Sequence, residues 1–134
     1  MKCPRCDTII TEDAPVCRFC GQDLRALHHA RKLSNAYYNI GLEKAKVREL
    51  WGAILVLKKS LNFNKHNTEA RNLLGLVYNE MGETIAALSE WVISVHFQER
   101  NNIAADYIQA IQNNPAKLKA ANKVIQKYNL ALSY

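Results

Sequence analysis

The chain has 134 residues and a mass of 15.2 kDa, enough for one ordinary domain or for a mini-domain joined to a small one. Apolar residues make up 49% and charged residues 22%, the balance of a folded globular chain, which excludes a disordered one. The densest apolar run, Ala53 to Leu57, is too short for a signal peptide or a membrane span, so a soluble, cytoplasmic protein is expected.

The cysteines come first. They read Cys3-Pro-Arg-Cys6, ten intervening residues, then Cys17-Arg-Phe-Cys20-Gly21. In a reducing compartment, paired Cys-x-x-Cys units favour metal binding over a disulfide framework. Two such turns place four thiolates about 2.3 Å from a tetrahedral zinc and leave no position open for water, which is the chemistry of a structural site. One structural Zn²⁺ held by Cys3, Cys6, Cys17 and Cys20 is therefore expected. Redox-active or oxidised cysteine pairs, and an iron–sulfur or rubredoxin-like iron centre, are the alternatives that four thiolates leave open. The apolar inventory of this segment is Ile9, Ile10, Ala14, Val16, Phe19 and Leu24, too little to offset its chain entropy, so it is expected to unfold without metal.

The pattern Met-Lys-Cys-Pro-x-Cys, a hydrophobic at Ile10, Ala14, then Cys-x-x-Cys-Gly-x-x-Leu resembles the short zinc ribbon at the N-terminus of many bacterial proteins, over residues 1–24. It departs at Asp7, where the ribbon usually has glycine for a left-handed turn; Asp tolerates that conformation better than most residues. The formal net charge of +6 is unevenly spread. Residues 1–24 carry three basic and four acidic side chains, a net −1, and the remainder carries fifteen against eight, a net +7. A tetrathiolate zinc adds a further −2 or so to the first segment, and Phe19 alone offers stacking, so the ribbon itself is a poor phosphate binder.

Beyond residue 24 the chain repeats itself. Ile40-Gly41 recurs as Leu74-Gly75 at an offset of 34, and the same offset relates Ala53 to Ala87, Leu57 to Trp91, Ser60 to Ser94, Leu61 to Val95 and Phe63 to Phe97. Helical spacing runs through Leu33, Ala36, Tyr37, Ile40 and through Ala70, Leu73, Leu74, Val77, Tyr78, Met81. Partner helices follow at Leu50, Ala53, Ile54, Leu57, Leu61 and at Ile85, Leu88, Val92, Val95, making each unit a helix–turn–helix. Small residues at Gly41, Ala53, Gly75 and Ala87 permit close helix approach.

These units resemble the tetratricopeptide repeat, most clearly over residues 68–99, with Leu74-Gly75-x-x-Tyr78, Gly82 in the turn, Ala87, Trp91 and Ser94. The first unit has Arg48 in place of the turn glycine and Lys44 in place of the tyrosine, and neither unit keeps the closing proline. After Phe97 the apolar pattern continues through Ile103, Tyr107, Ile108 and Ile111 without Gly or Pro, which predicts a long penultimate helix reaching about Asn113. Asn114-Pro115 then starts a last helix with Leu118, Ala121, Val124, Ile125 and Tyr128 inward, running to the C-terminus. Its apolar ending resembles the first helix of a further unit, so the chain is expected either to cap the array there or to be a fragment of a longer repeat protein.

The expected fold is thus mainly α: a small zinc-ribbon knuckle module over residues 1–24, then an α-solenoid of antiparallel helix pairs over residues 25–134 with about two repeats and a C-terminal helix. The resemblance implies that the first helices line a concave groove for an extended peptide, which places Asn35, Tyr38, Leu42, Asn72, Leu76 and Asn79 along it. The same residues would alternatively pack against the ribbon or the last helix. The basic pair that grips a terminal carboxylate in chaperone-binding members has no counterpart. Among the histidines, His28 and His29 read as the exposed start of a helix and His96 as a packing residue; His66 is the fourth, and none forms a metal-ligand motif. Neither a phosphate loop nor a nucleophile elbow occurs, so no enzyme is expected. Lys119, Lys123 and Lys127 form a basic stripe that reads first as a solvated face. The expected function is a non-catalytic scaffold or adaptor for a protein or peptide of unnamed identity. A nucleic-acid-associated regulator using the +7 helical surface is the runner-up.

Overall fold

A computed structural model describes residues 2–11, 14–117 and 119. Five α-helices form among them: α1 (Arg25–Lys46), α2 (Leu50–Phe63), α3 (Thr68–Glu80), α4 (Thr84–Phe97) and α5 (Ala104–Gln112). Ahead of them lie the two cysteine turns, with two isolated bridges among the described residues, Lys2 with Ile9 and Val16 with Asp23.

Each helix packs mainly on its neighbours in sequence, α1 on α2, α2 on α3, α3 on α4 and α4 on α5. The small residues decide how closely. A Cβ on Gly41 would stand 2.7 Å from Leu57 Cγ, and one on Gly75 would run into the Trp91 indole, so each glycine is a socket for a large side chain on the following helix. Around the first socket Ala53, Ile54, Leu57, Ala70, Leu74 and Val77 form a core, and around the second Ala87, Leu88, Trp91, Val92, Val95, Ala104, Ile108 and Ile111 form another. The offset that relates Gly41 to Gly75 also relates Leu57 to Trp91, so the repeat read from the sequence is carried by equivalent contacts.

Turn chemistry follows the same offset. Arg48, which stands where the second pair has Gly82, takes the left-handed conformation at φ 63°, close to the 80° of Gly82. Where a closing proline is absent, Asn64 accepts from the His66 N–H, and Asn67 caps α3 by accepting from the Ala70 N–H at 3.1 Å.

The penultimate helix is not long. Helix α4 stops at Phe97, Gln98 turns extended at φ −142°, ψ 96°, and Asn101 goes left-handed at φ 53° before α5 begins. The reason is Asn102: its Oδ1 accepts from the Ala104 N–H at 3.0 Å while its Nδ2 donates to Ser94 Oγ and to the Gln98 carbonyl. An amide side chain that bonds back to the end of one helix and accepts from the first N–H of the next outweighs the helical spacing of the apolar residues. In consequence α5 repeats α3 at the offset of the helix pairs: buried Ala104, Ile108 and Ile111 are the equivalents of buried Ala70, Leu74 and Val77.

A second difference lies on α1. Leu74 is 1% exposed because α2 covers it, whereas its equivalent Ile40 is 45% exposed and Ala36 is exposed too, since no helix precedes α1 among the described residues. The last helix expected from Asn114-Pro115 falls almost wholly outside the described residues, as do Lys123 and Lys127; residues 115–117 form a turn, with Asn114 Oδ1 accepting from the Ala116 N–H at 3.0 Å, and Lys119 is exposed.

Candidate metal centre

The two cysteine turns are copies of one another, with Cys17 and Cys20 in the places of Cys3 and Cys6. The Cys3 N–H donates to the Thr8 carbonyl and the Asp7 N–H to the Cys3 carbonyl; in the second copy the Cys17 N–H donates to the Gln22 carbonyl and the Gly21 N–H to that of Cys17. Closing each turn requires a left-handed residue, supplied by Gly21 at φ 77° and by Asp7 at φ 60°, so the aspartate does adopt the conformation for which glycine is usual.

This arrangement brings all four sulfurs together. Each Sγ lies within 4.8 Å of every other, with Cys3 to Cys20 at 3.6 Å and Cys6 to Cys17 at 3.7 Å. Sulfurs about 2.3 Å from a tetrahedral ion stand about 3.8 Å apart, so the observed spacing fits a metal, and it is far too long for a disulfide bond of about 2.05 Å. All four cysteines are free thiols, with Cys3 and Cys17 buried beside Ile10 and Leu24. The group can hold a metal ion such as zinc.

The electrostatics divide the four unequally. The Thr8 hydroxyl, 3.1 Å from Cys6 Sγ, and the Thr8 backbone N–H favour the thiolate and bring the Cys6 thiol down to about 6. Backbone N–H groups of Cys20 and Phe19 lower Cys17 as well. At Cys20 the Gln22 N–H favours the thiolate, but desolvation and the neighbouring sulfurs of Cys6, Cys3 and Cys17 push the thiol up to about 11. Crowded thiolates repel one another, and a dication at their centre removes that repulsion.

Two supporting residues escaped sequence reasoning. Thr8 is one, for nothing in its spacing marks a hydroxyl that faces Cys6. His28 is the other: it is not an exposed helix start but half-buried, with Nε2 2.6 Å from the Ala14 carbonyl, fastening α1 to the segment between the cysteine pairs. Its neighbour His29 is exposed, and His96 is exposed with its ring 5.8 Å from that of Phe97. Leu24 and Leu27 complete the contact by packing on the cysteine cluster.

The groove residues lie on α1 and α3 and are unequally engaged. Asn35 Oδ1 accepts from Asn67 Nδ2 at 3.3 Å and remains exposed; Tyr38 and Leu42 are half-buried, Tyr38 against the first core. On α3, Asn72 Nδ2 donates to Asn102 Oδ1 at 2.9 Å, Leu76 packs on the second core, and Asn79 Oδ1 accepts from Lys117 Nζ at 3.1 Å. Asn72 Oδ1 is buried without a hydrogen-bond partner among the described residues. No helix among the described residues is long and apolar enough to cross a membrane. Neither the protein-family models, nor the curated proteins, nor the solved structures contain a match to this chain.

Proposed function

We propose that the chain is a non-catalytic adaptor of the cytoplasm, in which a zinc ribbon over residues 1–24 holds one structural Zn²⁺ through Cys3, Cys6, Cys17 and Cys20, and a tetratricopeptide-like array over residues 25–134 receives a protein or peptide. The observation that carries this reading is the pairing of four sulfurs at tetrahedral spacing with helix pairs whose glycine sockets recur in register. Zinc bound by four thiolates would be coordinatively closed and would supply structure, not reactivity. The chain's own residues do the rest: Thr8 and the turn N–H groups stabilise the thiolates, and His28, Leu24 and Leu27 fasten the metal module to α1.

Native mass spectrometry of protein purified without added metal tests the first half. One zinc per chain, with all four cysteines alkylated after denaturation, supports it; visible absorption from iron, or alkylation-resistant disulfides, overturns it. Salt dependence tests the second half. Binding to a peptide partner, which engages few charges, should weaken only modestly with ionic strength, whereas steep weakening between about 50 and 200 mM salt would favour the nucleic-acid reading.

A further inference from the structure

The cysteine module and the helices enclose a cleft that neither the metal nor the helix packing uses. Two cavities, of about 540 and 420 Å³, share Arg31, Asn64 and His66 as a common wall, and both volumes are of the size that holds ligands. The larger has Lys2, Pro4 and Asp7 of the first cysteine turn on its other side; the smaller continues along α1 past Asn35 and Tyr38 to Asn39. Leu27, Arg31, Asn35 and Tyr38 follow one another at spacings of four, four and three, so one face of α1 runs from the cysteine core into the cleft.

Arg31 is the unusual residue. It and Arg71 are the half-buried arginines among the described residues; Arg71 is spent on Glu90 at 2.9 Å and on the Lys65 carbonyl, whereas Arg31 makes no ion pair or hydrogen bond within the described residues. Around it the amide Nδ2 groups of Asn35, Asn39 and Asn64 and the Tyr38 hydroxyl donate to nothing described. Such a wall of unused donors fits carbonyl and carboxylate oxygens.

We propose that this cleft binds an extended peptide segment carrying an aspartate or glutamate side chain, with Arg31 taking the carboxylate, the asparagine amides pairing with its backbone, and the cysteine module serving as one wall. The proposal rests on the adaptor reading above and gives it a location outside the groove residues of α3. A polyanion is disfavoured by the charge balance: Lys2 and Arg31 are matched by Asp7 and Glu69, and a tetrathiolate zinc would add negative charge nearby. Burial and the neighbouring cations Lys65 and Arg71 also hold His66 toward its neutral form.

A phage-displayed library of random twelve-residue peptides, selected on the zinc-loaded full chain, supplies the probe. Enriched peptides should share an acidic residue, and a synthetic copy should bind R31Q and N39D at least tenfold more weakly, with both variants melting like the parent. Chelated protein should lose the same peptide, and a short duplex DNA should not displace it. Equal binding to R31Q and N39D overturns the cleft; if Leu76→Ala then weakens the peptide, the adaptor reading stands without it. Failure to enrich any peptide overturns both, and full displacement by DNA overturns the cleft in favour of a phosphate ligand.

Discussion

In residues 2–24 the buried apolar side chains are Cys3, Ile10, Cys17 and Leu24, half of them metal ligands by type, whereas each helical core gathers six or eight buried residues around a glycine socket. Both regions are built by duplication, Cys3 recurring as Cys17 and Gly41 as Gly75, yet the duplicated element differs. In the first it is a turn whose N–H groups and thiolates converge on a point, and in the second a helix pair whose side chains interlock. A turn buries almost nothing, so under the proposed reading its two copies would depend on an ion between them; a helix pair buries a stripe and packs on its neighbours through it.

Metal removal should break this contrast most widely. Chelation is expected to unfold residues 2–24 and leave α2 to α4 intact, because structural zinc contributes on the order of 10–16 kcal/mol to folds of this size. Loss of amide dispersion confined to the cysteine segment, with helical circular dichroism nearly unchanged, is the expected record; a cysteine segment that keeps its signals would show that Ile10 and Leu24 suffice. In the helices the equivalent deletion is Trp91→Ala, which empties the Gly75 socket and should cost about 3–5 kcal/mol in urea unfolding while leaving metal content at its parental value.

Filling a socket instead of emptying it should do less harm. Gly75→Ala places a methyl against the Trp91 ring, forcing α3 and α4 apart for about 1–3 kcal/mol, and a neutral result would mean that the indole can tilt away. The smallest effect belongs to Asn102→Ala. Loss of the hydrogen bond to the Ala104 N–H should cost about 1 kcal/mol and speed amide exchange in α5 before α3, which keeps its N-cap Asn67; uniform exchange across both helices would show that Asn102 is not what separates the units.

How far these features could be read in advance depended on how local they are. The four cysteines and the small residues at Gly41 and Gly75 follow from spacing, because a Cys-x-x-Cys pair or a fixed repeat offset encodes its own geometry, whereas Asp7 and Arg48 stood out in the sequence only as departures and their left-handed turns came from the structure. The break after Phe97 was hidden because Ile103, Tyr107, Ile108 and Ile111 keep helical spacing, while the signal that interrupts it is an asparagine whose amide reaches Ser94 and Asn72 on other helices. An asparagine reads the same in a sequence whether its amide faces water or a neighbouring turn.

The sequence by itself thus determined the donor set and the period of the helices, since each is a property of a few residues near one another in the chain. Only the tertiary structure decided that His28 fastens α1 to the Ala14 carbonyl, that Ile40 is left uncovered while Leu74 is sealed, and that Arg31 faces a cleft with Lys2 across it. Those outcomes depend on which surfaces meet, and residues far apart in the chain acquire their surroundings only when the helices and the cysteine turns have packed.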